Sequence, residues 1–242
     1  MGGLFGWFEK WLDIVQFEIR EIHSIATQGF TKPLHCKLSN GKNHYAKGKR
    51  ATASGLIKEW MAANLAKSLD LPIPKFCIAY AEKRLIDIFD KDFGDGEVFA
   101  SECVEFADEF NYQSSIDSGL QRDILLFDLW IENEDRTLNE AHSGNPNLLW
   151  ARNQLYVIDH NLAFDDDFSK TRFWETHVFR EWQFEINERS QFEQRLQNAL
   201  SDWQQWWADV PDSWKEANHN FDEQKTLKRL TEEARGNIWL KL

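Results

Sequence analysis

The sequence predicts an α+β fold in two lobes: a small antiparallel-sheet lobe with one helix over residues 1–105, and a helical lobe over residues 106–242. Two changes of rhythm carry this reading. Apolar residues alternate with period two in segments up to residue 104, and from about Asp108 they recur with the helical period. Length adds a third observation, because 242 residues lie just under the roughly 250–300 at which a single core stops growing, so one domain or two closely packed lobes is expected. With 42 % apolar residues, 12 glycines and 5 prolines, the composition is that of an ordered chain and not of a linker.

The elements follow in order. Residues 1–15 place Leu4, Phe5, Trp7, Phe8, Trp11 and Leu12 among Glu9, Lys10 and Asp13, which reads as a surface helix docked on the domain. The segment lacks the basic start of a signal peptide, and Gly6 stands where a myristoylation motif needs Ser or Thr. From Val15 to about Gly48 three antiparallel strands are expected: one through Phe17, Ile19 and Ile22, one over 33–38, and a return through His44-Tyr45-Ala46-Lys47 after the Asn40-Gly41 turn. A helix opens at Ser54 and runs to about Leu69, ahead of the Pro72-Ile73-Pro74 break, with Met61, Leu65 and Leu69 as its core stripe and Glu59 beside Ala62, Ala63 and Ala66. Residues 76–88 and 98–104 read as two further strands around a charged turn at Asp90–Glu97. Helical character begins after Asp108, a short β island follows at 147–158 around Arg152-Asn153, and everything after about residue 170 is helical, with Pro211 separating two segments.

Charge and cysteine usage narrow the setting. Forty acidic against 28 basic residues give a net charge of −12, which excludes a dedicated nucleic-acid backbone binder. Three cysteines at unrelated spacings point to reduced thiols and a cytoplasmic location. No run approaches the ~18 apolar residues of a membrane span, so no membrane association is expected. Seven of the twelve tryptophans follow residue 170, and Trp203, Trp206 and Trp207, at helical spacing, read as core staples.

Four pieces carry chemistry when read together. Lys47 lies on an apolar strand and Glu59 on the apolar side of the next helix; a buried charge left unpaired costs about 3–5 kcal/mol, so the two are expected to pair. Asn133-Glu134-Asp135-Arg136 ends a helix. Asn145-Pro146-Asn147-Leu148-Leu149 precedes one strand, and Val157-Ile158-Asp159-His160 ends the next, so a hairpin brings the Asn147 and Asp159 oxygens together as a hard cation such as Mg²⁺ requires. Asp135 is then available to orient or deprotonate a hydroxyl. A sheet lysine, a cation site and a base carboxylate are the components of phosphoryl transfer. Each has an ordinary reading alone: an edge lysine, a solvated helix glutamate, a helix-end ion pair, a turn cap. His142, His160 and Asp165-Asp166-Asp167 lack metal-ligand spacing and read as a solvated turn.

In this order the motifs resemble the HipA-like branch of the protein-kinase-like superfamily. The likeness rests on Trp130–Thr137, Asn145–Trp150 and Val157–Phe164, and covers roughly residues 15–165. The resemblance implies a two-lobed protein-kinase-like fold, with residues 1–105 binding ATP and residues 106–242 catalytic. It implies that Lys47, held by Glu59, meets the α- and β-phosphates of ATP, that Asp135 is the catalytic base, and that Asn147 and Asp159 ligate Mg²⁺. Glu102, Cys103 and Val104 belong to a hinge, extending to Phe106, whose backbone meets the adenine. It also implies serine/threonine kinase activity of toxin type on a protein substrate, with an antitoxin as a further partner.

Three departures qualify the match. No G-x-G-x-x-G is present; the turn Ser24–Thr31 holds one glycine, so Ser24, Thr27 and Gln28 would cradle phosphate through hydroxyls and amides, and Ser24, Thr27 or Thr31 is a candidate autophosphorylation site. The interval from Asp135 to Asn147 is stretched to twelve residues, so Asn145 competes with Asn147 as metal ligand; the Leu148-Leu149 that follows favours Asn147. Asp159 is followed by His160-Asn161 and not by Phe-Gly. Two alternatives accompany this reading: a small-molecule kinase of the same superfamily, and a non-catalytic nucleotide-binding module that engages a partner.

Overall fold

Alternating apolar side chains in the first hundred residues close into a five-stranded barrel of order β1-β2-β3-β5-β4. In this computed structural model, which describes residues 15–26, 30–110, 116–138, 144–182 and 184–242, the strands are β1 (Val15–Ile25), β2 (Leu34–Leu38), β3 (Asn43–Lys47), β4 (Phe76–Ala81) and β5 (Gly96–Glu102). The expected helix over residues 1–15 falls almost wholly outside the described residues, as do Thr27 and Gln28. The Asn40-Gly41 hairpin forms as its sequence demands, with Gly41 at φ 80° and the Leu38 N–H donating to the Lys42 carbonyl.

An all-antiparallel sheet was the expectation, and the barrel corrects it. A closed ring of five strands cannot alternate direction at every seam, so one pair must be parallel. That pair is β1 with β4, in the register Val15↔Ile78, Phe17↔Ala79 and Glu18↔Tyr80, while every other seam is antiparallel. Two register shifts along β1, between Ile19 and Glu21 and between Ile22 and Ser24, give it the bend that closure needs. Leu34, Cys36 and Leu38 point inward with Ala46, Cys77, Ala79, Ala81, Val98 and Ala100. Most of these are small, as the narrow interior of a five-stranded ring requires. Burial pushes the Cys36 and Cys77 thiols up to about 12, and none of the three cysteines is in a disulfide.

A second correction concerns residues 83–88, read as part of the strand over 76–88. After α1 (Ala53–Ser68), the chain forms β4 and then turns into a helix, α2 (Lys83–Phe89). Two positions apart, Ile86 is buried whereas Ile88 is 86 % exposed, which a strand face would not give. Leu85 and Ile86 instead pack side by side on the barrel core with Phe93, a helical arrangement supported by the Lys83–Asp87 pair at 3.4 Å.

The chain divides into two units that are not contiguous in sequence. One holds the chain up to Trp60, Pro74–Cys103 and Ala208–Asn220; the other holds Met61–Ile73, Val104–Trp207 and Phe221–Leu242. In the second, α3 (Ser118–Trp130) is capped by the Asp117 carboxylate on the Leu120 N–H and is buried from Ile124 to Trp130. A three-stranded sheet joins β6 (Asp108–Glu109), β7 (Leu148–Ala151) and β8 (Gln154–Val157). Helix was expected directly after Asp108; instead Asp108 and Glu109 pair with Trp150 and Leu149 first. The β7–β8 turn has both central residues left-handed, Arg152 at φ 50° and Asn153 at φ 60°, which suits the strand twist.

The remaining elements are helical, as expected: α4 (Lys170–Thr176), α5 (Arg189–Ala199), α6 (Trp203–Asp209), α7 (Asp212–Ala217) and α8 (Glu223–Ala234), with Pro211 between α6 and α7. The tryptophans act as staples through their indole N–H groups. Within the second unit Trp130 donates to the Leu230 carbonyl (3.1 Å), Trp203 to Glu223 (2.7 Å), Trp174 to the Lys241 carbonyl (2.9 Å) and Trp182 to Gln121 (3.0 Å). Among the described residues no helix is long and apolar enough to cross a membrane.

Candidate active site

The first unit contains the expected charge pair. Lys47 ends β3 on the side opposite inward-facing Ala46 and lies across from Phe99. Its Nζ donates to Glu59 Oε2 on α1 at 2.8 Å, with both side chains buried. Edge-to-face packing of Trp60 on Phe76 (5.5 Å) and stacking of Phe76 on Phe99 (5.8 Å) surround this face with apolar groups, so each charge requires the other. Gly48, directly after the lysine, has no room for a side chain: a Cβ there would lie 2.6 Å from the Phe93 carbonyl oxygen.

The end of β5 is tied down by its backbone. The Glu102 N–H donates to the Lys75 carbonyl (2.7 Å), the Cys103 N–H donates to the Asn43 carbonyl (2.8 Å), and Lys42 Nζ holds the Glu102 carboxylate at 2.8 Å. Val104 begins the next stretch of the second unit. Ser24 sits in β1 opposite His35 and is exposed.

The second unit gathers Asp135, Asn145 and Asn147. Helix α3 stops at Trp130, and the chain crosses Glu132 at φ 52° before reaching Asp135. Asn147 Nδ2 donates to Asp135 Oδ2 at 2.8 Å, and Asn145 Nδ2 donates to the same oxygen at 2.9 Å. Both amides converge on Oδ2, so Oδ1 remains available to accept another donor. The twelve-residue interval is bridged by reciprocal bonds: the Thr137 N–H to the Asn145 carbonyl (2.9 Å) and the Asn145 N–H to Thr137 Oγ1 (3.2 Å). Gly144 permits this approach, with φ 147° and a notional Cβ only 2.5 Å from the Thr137 carbonyl oxygen.

Burial raises the pKa of Asp135, and the facing Asp159 carboxylate raises it further; the two amides and Arg136 oppose the shift. Asn147 (φ 48°) and Asp159 (φ 59°) are both left-handed and flank the β7–β8 hairpin, where the Ile158 N–H donates to the Asn147 carbonyl at 3.0 Å. Two carboxylates whose charges oppose one another, beside an amide oxygen, are hard donors that suit a small divalent cation. Among the described residues no cluster of three or more His, Cys, Asp or Glu side chains forms a metal site, so such a cation would rely on amide oxygen and on ligands from outside the chain.

Beneath this centre lies a charge network that sequence reading missed. Asp128 and Arg136 have no solvent exposure. Asp128 Oδ2 accepts from Arg136 Nε (2.6 Å) and His177 Nε2 (3.0 Å), while Oδ1 accepts from Asn133 Nδ2 (2.8 Å). The Phe179 N–H donates to His177 Nδ1, which leaves the proton on Nε2 and makes His177 a neutral donor. Burial alone would raise the Asp128 pKa, but the guanidinium and the imidazole together hold it well below the usual carboxylate range; burial also lowers that of His177. A carboxylate inside the apolar run Ile124–Ile131 was the one available signal. Nothing marked His177. Glu134, next to the centre, accepts from the Ser169 N–H and the Arg172 guanidinium at the start of α4. Of the other polar residues considered, His160 is buried against Phe127, Asp166 pairs with Lys225 at 2.6 Å, and His142 lies outside the described residues.

Comparison with known proteins places this centre in context. A family model described as HipA-like kinase matches residues 19–241. No curated protein matches the sequence. Among solved structures, the chain is similar to the crystal structure of a Helicobacter pylori proinflammatory kinase, CtkA, with a TM-score of 0.44 and 10 % identity over 95 % of each chain. It is also similar to that of the Golgi casein kinase, with a TM-score of 0.47 and 14 % identity over 95 % of this chain and 73 % of the other.

Proposed function

The chain belongs to the HipA-like kinase family, and from that premise we propose that it transfers the γ-phosphoryl group of ATP to a serine or threonine hydroxyl of a protein, with Mg²⁺ as cofactor. The observation that carries this reading is the Asp135 carboxylate, fixed at Oδ2 by two amides and open at Oδ1. In that geometry Oδ1 accepts the hydroxyl proton as the substrate oxygen bonds to the γ-phosphorus and the bond to the β,γ-bridging oxygen breaks, leaving ADP. Lys47, its ammonium held by Glu59, binds the α- and β-phosphates. Mg²⁺, when bound, supplies neutralisation of phosphate charge. Asn147 and Asp159 are its proposed ligands; Asn147 is favoured over Asn145 because its side chain is buried and its backbone is held from beneath. Glu102 to Val104 supply the adenine hinge, and Thr27 and Gln28, with Ser24 at the end of β1, supply the phosphate contacts. Most of the catalytic effect comes from positioning and charge stabilisation.

The test is incubation of the full chain with Mg²⁺ and labelled ATP, alone and with a cell lysate, followed by mass spectrometry of the phosphorylated sites. Phosphate on serine or threonine of a protein, lost in Asp135→Asn, is the expected result. Transfer only to a small molecule replaces the protein substrate by a metabolite. Absence of both ATP binding and transfer overturns the assignment.

A further inference from the structure

Arg136 occupies an unusual place for a fully buried charge. Its Nε and one terminal nitrogen face Asp128, and the other terminal nitrogen, Nη1, points at three main-chain carbonyls: Asn147 at 2.6 Å, Ile158 at 3.3 Å and Pro146 at 3.4 Å. These carbonyls belong to the two short stretches that present Asn147 and Asp159. Both residues are left-handed, a conformation that Asn and Asp adopt more readily than other non-glycine residues and that neighbouring contacts hold in place. The Asp128 carboxylate is in turn fixed by Asn133 and His177, so the guanidinium has no freedom to rotate away.

We propose that Arg136 is the positioning residue of the cation site, clamping the backbone at Asn147 and Ile158 so that the Asn147 amide oxygen and the Asp159 carboxylate stand together at one end of the hairpin. This rests on the phosphotransferase reading above. The planar fork of arginine donates to Asp128 and to the carbonyls at once, which a lysine ammonium on a flexible stem does not reproduce. Outer-shell contacts of this kind tune metal affinity.

The experiment measures Mn²⁺ binding by electron paramagnetic resonance in the presence of a non-hydrolysable ATP analogue, and analogue binding without metal by calorimetry. Arg136→Lys is expected to weaken Mn²⁺ binding about 10-fold, within the range typical of outer-shell substitutions. Metal-free analogue affinity should stay within about twofold of wild type, since no nucleotide contact is assigned to Arg136. Should Arg136→Lys fail to fold, Asp128→Asn, which keeps the side-chain shape but releases the guanidinium, carries the same expectation. Mn²⁺ affinity unchanged in a folded variant overturns the clamp alone. A wild-type chain that binds no Mn²⁺ with the analogue overturns the phosphotransferase reading and the clamp with it.

Discussion

Asp135 holds its charge at a cost. Because burial and Asp159 raise its pKa above the unfolded value, the ionised form destabilises the fold at neutral pH, and protonation removes that penalty as pH falls through the raised value. Asp135→Asn is neutral at every pH, and its amide oxygen can still accept from Asn145 and Asn147. Its melting temperature is therefore expected to exceed that of wild type at pH 7–8 and to converge with it in acid. Its transfer rate should fall by about 10²–10⁴-fold, the usual share of a general base. Melting curves and rates on one preparation check both, and a variant that loses stability at pH 8 contradicts the first. Asp128 behaves in the opposite sense: Asp128→Ala strands the Arg136 guanidinium and should cost about 3–5 kcal/mol in urea unfolding. The two carboxylates also differ in legibility. Lys47 and Glu59 stand out as charges within apolar patterns, and Asp135 and Asn147 as polar groups just after a helix and just before a strand. His177 meets Asp128 from 49 positions away, and no local pattern encodes that meeting.

At the scale of elements, local turn chemistry was readable and seam direction was not. Gly41 in one hairpin and Arg152-Asn153 in the other turn the chain through positive φ, whatever the rest of the chain does. The residues of α2 fit a strand or a helix by period alone, and packing on the barrel core decides between them. Gly144 shows how an insertion is tolerated. Its chain pinches against Thr137, so that Asn145 and Asn147 reach Asp135 across ten and twelve positions. Gly144→Ala places a methyl against the Thr137 carbonyl and is expected to destabilise by about 1–3 kcal/mol, with a larger loss of transfer than of folded fraction. Equal loss of both would mean that the pinch serves stability only. Gly48→Ala, crowding Phe93, should destabilise by a similar ~1–3 kcal/mol through overpacking, as denaturant midpoints would record.

For the whole molecule, acid is the expected weakness. His177 is held neutral, so its contribution is present above its unfolded pKa of about 6.5 and is lost as pH falls below it. Asp128 is held ionised by its partners, so its contribution persists above the ordinary carboxylate range and disappears as pH falls through it. Both shifts act in the same direction. Urea midpoints followed by tryptophan fluorescence should fall from pH 7 to pH 5, and His177→Gln should flatten that slope; an unchanged slope removes His177 from the explanation.

The parallel seam of the barrel has a kinetic consequence. β1 meets β4 across some sixty residues of intervening chain and, among the described residues, by three registered pairs, against six between β4 and β5. That closure is far longer than the one joining β4 to β5, so the β1–β4 seam is expected to form after the β4–β5 hairpin and to open before it in thermal breathing. Amide protons on β1 that face β4 should exchange with solvent sooner than those shared by β4 and β5, making this seam the weak stave of the barrel.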